Sequence, residues 1–273
     1  MLLPASGRQS TVTDKVISNL KISLKLKYKT TMTVKEHYDN HLGNFYSWMS
    51  GDLASKQADF QNFMIEQKLF PQSSKIAVDL GAGHGIQTVP LAKSGYFVKA
   101  IDFNTQLLNE LTENTKGLSV EIVNADIRNF DRFSIQNPEL IVCFGDTVAH
   151  LDSEQEILQL VRSISDTLSD GGKFLLSFRD YSVELKGENR FIPVKSDEKR
   201  ILTCILDYQS TYVVVTDLLY EQIENSWELK VSSYKKVRVT TEMIVKIIEE
   251  ANLTIQFNQI INRMTTIIAC KNK

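Results

Sequence analysis

The chain has 273 residues, of which 42% are hydrophobic, so it can bury a full α/β core in one domain. Its net charge of −2 excludes a general basic field for nucleic acid, and no apolar stretch approaches the roughly 20 residues that a membrane span needs. Cys143, Cys204 and Cys270 lie far apart, and the four histidines do not cluster with cysteines or carboxylates. We therefore predict no metal site, and a cytoplasmic protein with reduced thiols.

Residues 1–31 are predicted to form a flexible basic leader. Between Lys15 and Lys35 the chain carries lysines but no acid, and the segment from Ile22 to Tyr28 alternates apolar and polar residues like a strand. A transit peptide is the alternative, although such peptides are usually richer in arginine.

The rest, residues 32–273, reads as one domain. Helical patterns cover residues 33–50 and 52–68, and we expect residues 32–70 to form an N-terminal lid. Strands and helices then alternate: strand 75–80, helix 85–94, strand 96–101, helix 104–115, strand 119–124, strand 139–144, helix 153–168 and strand 173–179. This order predicts a mostly parallel sheet with helices on both faces, in which ligands bind beyond the carboxyl ends of the strands.

The alternation stops after Arg179. Strand-like segments at 199–208, 211–223 and 227–239 predict an antiparallel insertion within residues 183–239, with a hairpin turn at 224–226. A helix at 240–251 and strands at 253–260 and 264–270 complete the predicted fold.

The most informative segment is the glycine-rich turn that follows the first strand. Gly81, Gly83 and Gly85 occupy alternate positions, where glycine allows positive φ and a close approach of the backbone to a ligand. Asp102 follows the next strand about twenty residues later, at the distance at which an acid holds a ribose diol. The pattern therefore predicts a nucleoside-cofactor site.

The spacing G-x-G-x-G, with Asp79 two residues before the first glycine, resembles motif I of the class I S-adenosylmethionine-dependent methyltransferases. The alternative is a dinucleotide-binding dehydrogenase, but such folds favour G-x-G-x-x-G, and an acid at this position would repel a pyrophosphate. The resemblance implies a doubly wound, mostly parallel seven-stranded Rossmann-like sheet and S-adenosylmethionine as cofactor. It assigns to cofactor binding Asp79 (directly or through water, at the ammonium group), Gly81, Ala82, Gly83, Asp102 and Phe103.

Two further strand ends resemble motifs of this family. Asp126 and Ile127, after the third strand, are similar to the adenine-binding motif, although Asp126 could instead cap the following turn. The run after the fourth strand resembles the G-N-[ST]-x-x-[HY]-L segment of glycine and sarcosine N-methyltransferases. The resemblance implies that Phe144 and Gly145 approach the cofactor, and that Asp146, in place of the usual Asn, faces the substrate.

Residues in other segments extend the resemblance. Arg179 matches an arginine that holds the substrate carboxylate, with a surface ion pair as the alternative. Tyr46 and Lys56 match lid residues that cover the cofactor and meet its carboxylate, and Tyr38 lies near the position of a tyrosine that approaches the sulfonium. His150 is a candidate catalytic base, with a packed or capping histidine as an equal alternative.

We thus predict a methyltransferase that acts on a small-molecule acceptor, preferably an amine, by in-line transfer. Two alternatives stay open. One is a small-molecule O-methyltransferase with His150 as base, and the other is a cofactor-binding protein without catalysis. Neither nucleic acid nor membrane is an expected partner, and the sequence is compatible with a homo-oligomer.

Overall fold

The computed structural model describes residues 31–133, 136–224 and 226–272. The predicted basic leader therefore lies outside the described residues, apart from Thr31. Helix α1 (Val34–Asn40) begins with a capping box: the Thr33 hydroxyl accepts from the Glu36 backbone N–H at 3.2 Å, and the Glu36 carboxylate accepts from the Thr33 N–H at 2.9 Å.

The single helix predicted over residues 33–50 is wrong. It is divided into α1, a 3₁₀ turn at Leu42–Asn44 and α2 (Tyr46–Ser50). The chain leaves helical geometry at His41 (φ −140°, ψ −78°) and again at Phe45 (φ −137°, ψ 8°). These two breaks fold the segment back on itself. Helix α3 (Leu53–Glu66) follows, and the Asp52 side chain caps it by accepting from the Ser55 backbone N–H at 2.6 Å.

The main sheet has seven strands, which confirms the predicted mostly parallel, doubly wound fold. The parallel strands are β1 (Ile76–Leu80), β2 (Phe97–Asp102), β3 (Val120–Asn124), β4 (Leu140–Cys143) and β5 (Lys173–Phe178). The closing antiparallel hairpin consists of β10 (Leu253–Ile261) and β11 (Met264–Lys271). The strand order is β10-β11-β5-β4-β1-β2-β3.

Helices cover both faces of this sheet. The connecting helices are α4 (Thr88–Lys93), α5 (Thr105–Asn114), α6 (Glu154–Thr167) and α7 (Thr241–Glu250). Alternate residues of each strand point to opposite faces. Val78 and Leu80 accordingly pack in the core with α6 and α7, whereas Ala77 packs with α3 and α4.

The insertion forms a separate antiparallel sheet, β6-β7-β8-β9, from strands β6 (Phe191–Ser196), β7 (Arg200–Tyr208), β8 (Tyr212–Ile223) and β9 (Ser226–Val237). The prediction of three strands missed β6, an edge strand that contains Pro193 and is largely exposed.

The N-terminal helix α1 packs on this second sheet. The His37 ring stacks on Tyr234 with centroids 4.0 Å apart, and His37 also contacts Ser232 and Asp217. The backbone N–H of Met32 donates to the Ser233 carbonyl at 2.8 Å. Among the helices of the described ranges, none is long and apolar enough to cross a membrane.

Candidate cofactor and acceptor site

A cavity of about 490 Å³ lies at the carboxyl ends of β1 to β4, with α1 and α2 above it. Most of the residues predicted for the site line this cavity: Tyr38, Tyr46, Gly81, Ala82, Gly83, Asp102, Phe103, Asp126, Ile127, Phe144, Gly145 and His150. The parallel sheet explains this convergence, because the carboxyl ends of neighbouring parallel strands meet at one edge.

The floor of the cavity is the backbone of the glycine turn. Gly81 and Gly83 have φ values of 76° and 53°, in the left-handed region. A methyl group added at Gly81 would lie 2.5 Å from the Thr147 side chain, whereas one added at Gly83 would meet no heavy atom within 4 Å. The Thr147 side chain therefore leaves room only for glycine at position 81. At Gly83 the space is open and can be occupied by a ligand.

Asp102 closes one side of this floor. Its Oδ2 accepts from the Gly83 backbone N–H at 2.9 Å and its Oδ1 from the Asn104 N–H at 2.8 Å. Burial raises the pKa of Asp102, and these backbone hydrogen bonds counteract that rise. Since a carboxylate has about four lone-pair positions, each oxygen can still accept a hydroxyl of a ribose diol. The turn and the acid therefore fit a nucleoside.

Asp126 caps a 3₁₀ turn (Ile127–Arg132) by accepting from the Arg128 N–H at 2.9 Å, and it lines the cavity as well. The Arg128 guanidinium binds both of its oxygens and reaches Asp152 and Glu156 on the other side. Burial would raise the pKa of Asp126, but the hydrogen bonds and charge of Arg128 outweigh burial and hold the pKa below its ordinary value. Capping and cavity lining are thus compatible, and the contact with adenine stays a prediction.

Another part of the cavity wall is aromatic. The Tyr38 ring lies 5.5 Å from Phe103, 6.2 Å from Tyr46 and 5.6 Å from His150. Burial raises the pKa of both tyrosines, so their phenols are neutral. These rings form an aromatic part of the cavity wall.

His150 is partly buried and lines the cavity. Burial, with the charges of Lys236 and His37, lowers its pKa well below the ordinary value, so the imidazole is neutral. Its Nε2 atom finds no hydrogen-bond partner within the described parts of the chain. Because Nε2 is itself buried although the residue lines the cavity, a ligand would meet this atom only after the ring turns toward the cavity.

Asp79 and Lys56 do not line the cavity. Asp79 lies beneath the glycine turn, accepts from the Thr88 hydroxyl at 2.6 Å, and has a pKa that burial raises to about 7. Lys56 is exposed on α3. Their predicted contacts with the cofactor stay predictions.

The two predicted substrate residues also lie outside the cavity wall. Asp146 is buried and accepts from the Arg179 backbone N–H, the Tyr181 hydroxyl and the Lys236 ammonium. The Arg179 side chain is exposed after β5. Neither position shows whether the residue contacts the substrate, so both contacts stay predictions.

Several lining residues were not predicted, chiefly Thr33, Val34, Lys35, Arg128 and Thr147. The first three lie at the start of α1. This helix lies over the cavity because the predicted helix 33–50 is interrupted at His41. Only Thr147 carried a local signal, because it occupies the [ST] position of the motif that includes Gly145 and His150.

Comparison with known proteins agrees with this geometry. Residues 77–172 match a family described as "Methyltransferase domain". The glycine/sarcosine N-methyltransferase of Aphanothece halophytica is 25% identical over 114 residues, which are 41% of this chain and 43% of that protein. The corresponding enzyme of Halorhodospira halochloris is 25% identical over 149 residues, 54% of each chain. An rRNA adenine N-6-methyltransferase of Corynebacterium diphtheriae is 31% identical over 77 residues, 26% of this chain and 30% of that one. The chain thus spans about half or less of the length of the curated relatives it matches.

Solved structures share the fold over a greater length. An S-adenosylmethionine-dependent methyltransferase of Clostridium acetobutylicum aligns with a TM-score of 0.65 at 15% identity, covering 95% of this chain and 100% of that one. The CcbJ methyltransferase of Streptomyces caelestis aligns with a TM-score of 0.72 at 14% identity, over 88% and 99%. The S-adenosylmethionine-bound amino pentose methyltransferase of Micromonospora echinaspora gives 0.67 at 14%, over 82% and 94%. Residues 77–172 therefore match a methyltransferase domain, and the chain shares the fold of solved S-adenosylmethionine-dependent methyltransferases.

Proposed function

We propose that the chain transfers a methyl group from S-adenosylmethionine to the nitrogen of a small-molecule amine. The observation that carries this proposal is the composition of one cavity, which is lined by the glycine turn, by Asp102 and by the neutral His150. The curated relatives named as glycine/sarcosine N-methyltransferases and the neighbour named as an amino pentose methyltransferase support an amine acceptor.

The chain's own residues would hold the cofactor by its nucleoside. Asp102 would accept the ribose hydroxyls, the glycine turn would line the amino-acid portion, and Asp126 with the Ile127 backbone would contact adenine. When bound, the cofactor supplies a methyl group on a positively charged sulfur, which keeps the electron pair of the broken carbon–sulfur bond. Tyr38 and Tyr46 would cover that charge with ring faces, which attract cations.

At the acceptor end, His150 would orient the amine. Because its imidazole is neutral, Nε2 can accept a hydrogen bond from an amine N–H and direct the nitrogen lone pair toward the methyl group. The amine must react in its neutral form, because only a nitrogen with a free lone pair can attack the methyl group. After the new carbon–nitrogen bond forms, the product nitrogen releases one proton to solvent.

The lowered pKa of His150 also weighs against the O-methylation alternative. A hydroxyl acceptor needs a base to remove its proton, and a histidine with a strongly lowered pKa holds a proton poorly at neutral pH. The amine acceptor does not require such a base. The alternative of a binding protein without catalysis would be favoured by a filled acceptor end, yet the cavity extends to His150, Thr147 and Leu151.

Asp146 and Arg179 were predicted to bind the substrate, but neither of them lines the cavity. Arg179, exposed after β5, would meet a carboxylate only on a part of the acceptor that extends beyond the cavity. A direct substrate contact of Asp146 is less favoured than that of His150, since both Asp146 oxygens already accept hydrogen bonds.

The test is an acceptor screen that measures S-adenosylhomocysteine release over amino acids, amino sugars and hydroxy acids. It uses the wild type, His150→Ala and Arg179→Ala. His41→Ala is the matched control, because His41, like His150, has a buried Nε2 atom without a partner among the described residues but does not line the cavity. We expect turnover of an amine that falls by about 100-fold in His150→Ala, the loss expected when a reacting group is misplaced, and is retained in His41→Ala.

Two results would contradict the proposal. Turnover restricted to hydroxylated acceptors would favour O-methylation. Tight binding of S-adenosylmethionine without turnover of any acceptor would favour the binding protein.

A further inference from the structure

An ion pair links the insertion to the loop beside the cavity. Lys236 Nζ on β9 lies 2.6 Å from Oδ2 of Asp146, and the two side chains are only 12% and 7% exposed. Asp146 stands between Gly145 and Thr147, both of which line the cavity, whereas the ion pair itself lies behind the wall. A group of the second sheet is thus connected to the methyl-transfer site through one carboxylate.

This carboxylate is the meeting point of three elements. Its Oδ1 accepts from the Arg179 backbone N–H at 2.9 Å, and its Oδ2 accepts from the Tyr181 hydroxyl at 3.1 Å as well as from Lys236. The Asp146 backbone has a φ of 72°, which is unusual for a residue with a side chain and persists only where the surroundings enforce it. The side-chain contacts therefore hold the backbone of the loop in a strained form.

The two charges are matched to each other. A buried carboxylate without a counter-ion is unfavourable, and so is a buried ammonium. An Asn at position 146 could still accept from the Arg179 N–H through Oδ1, and its Nδ2 could donate to the Tyr181 hydroxyl oxygen, but it would leave Lys236 without its partner. The Asp that replaces the motif's usual Asn is thus accompanied by a cation from β9.

Lys236 also stands next to the acceptor end. Its ammonium lies 5.8 Å from the centre of the Tyr234 ring, and that ring meets His150 edge to face with centroids 5.8 Å apart. A shift of Lys236 would therefore disturb two cavity walls, the loop at Gly145 and the packing of His150.

We propose that Lys236 is a positioning residue for methyl transfer: as the counter-ion of Asp146, it fixes the loop that carries Gly145 and Thr147. This inference rests on the proposed function of the cavity. Through Lys236 the insertion sheet would contribute to methyl transfer, in addition to any role in binding the acceptor.

The test compares Lys236→Met, Asp146→Asn and the double variant that carries both changes. The matched control is Lys235→Met, an exposed lysine on the same strand. We expect each single variant to lower kcat by at least about tenfold while the acceptor KM changes less than about threefold, because small displacements of reacting groups reduce the rate strongly. The double variant should recover kcat to within about threefold of the wild type, since it removes both buried charges.

A second measurement does not depend on turnover. In amide NMR spectra of the S-adenosylhomocysteine complex, the signals of Gly145 and Thr147 should move in Lys236→Met and return in the double variant. If Lys236→Met does not fold, the double variant should restore folding, and the same spectra are then compared between Asp146→Asn and the double variant.

The inference is overturned if Lys236→Met behaves like Lys235→Met, or if the double variant is as impaired as the single variants in both readouts. Failure of every acceptor, with the NMR signals moving and returning as expected, would contradict the proposed function and leave the positioning of the loop supported.

Discussion

The contact between Gly81 and Thr147 allows a quantitative prediction. Replacing Gly81 by Ala places a methyl group 2.5 Å from Thr147 Cγ2 and 2.7 Å from its hydroxyl oxygen, at a φ of 76°. The left-handed conformation costs an alanine about 1–2 kcal/mol, and the overpacking adds about 1–3 kcal/mol. We therefore expect Gly81→Ala to lower the free energy of unfolding by about 2–5 kcal/mol, a large part of the stability of an ordinary domain.

Replacing Thr147 by Ala should relieve the overpacking but not the strain of the left-handed backbone at position 81. Thr147→Ala removes the two closest atoms and leaves Thr147 Cβ at 3.2 Å, at the price of the hydroxyl hydrogen bond to the Phe144 carbonyl. That bond is worth about 1 kcal/mol. The double variant Gly81→Ala/Thr147→Ala should therefore be more stable than the two single effects together would give, by about 1–3 kcal/mol.

The assay is urea unfolding of the cofactor-free protein, followed by circular dichroism. Gly83→Ala is the control, because Gly83 also has positive φ but its added methyl group would meet nothing within 4 Å, so only about 1–2 kcal/mol should be lost. Strict additivity of the Gly81 and Thr147 changes would refute this reasoning. Equal losses for Gly81→Ala and Gly83→Ala would do the same.

Three other predictions concern acids of the β-strand ends. Asp102→Asn should weaken S-adenosylhomocysteine binding by about tenfold or more in calorimetry, because a charge-assisted acceptor is lost, and a change below about twofold would contradict this role. Burial raises the pKa of Asp79 from 3.8 to about 7, so the folded state keeps a proton that the unfolded chain loses, and stability falls as the pH rises from about 4 to about 7. The stability of Asp79→Asn relative to wild type should thus improve by about 2 kcal/mol between about pH 5.5 and about pH 8, and a constant difference would exclude the raised pKa. Glu139 accepts from the Ser73 and Lys75 N–H groups, each at 2.8 Å. Glu139→Ala should lower the urea midpoint by an amount equivalent to about 1–3 kcal/mol, whereas an unchanged midpoint would show that these amides are satisfied by water.

The parts of the site that could be predicted are those with local signals. The turn from Gly81 to Gly85 and the acid Asp102 each follow a strand directly, and a parallel sheet necessarily brings these strand ends together. The order of strands and turns along the chain thus predicted both the fold, which is confirmed, and the convergence of these residues on one cavity. Neither depends on side chains that are distant in the sequence.

The parts that could not be predicted depend on distant partners. Asp146 and Lys236 are 90 positions apart, and Arg128 reaches Asp152 across 24 positions. The spacing of apolar and polar residues along the sequence does not indicate contacts between such distant residues. The break of the first helix at His41 has the same character, since that segment bends to pack against the insertion sheet rather than to satisfy its own pattern.

The packing of α1 on β9 also has a consequence for folding kinetics. His37 and Ser232, whose side chains are hydrogen-bonded, are 195 positions apart, and α1 forms one wall of the cofactor cavity. Contacts between such distant segments form slowly, because a long loop must close before they are made. The cofactor cavity should therefore be completed late, after the central strands have paired. Recovery of S-adenosylhomocysteine binding after dilution from urea would then lag behind the recovery of secondary structure, and ligand binding would report the last step of folding.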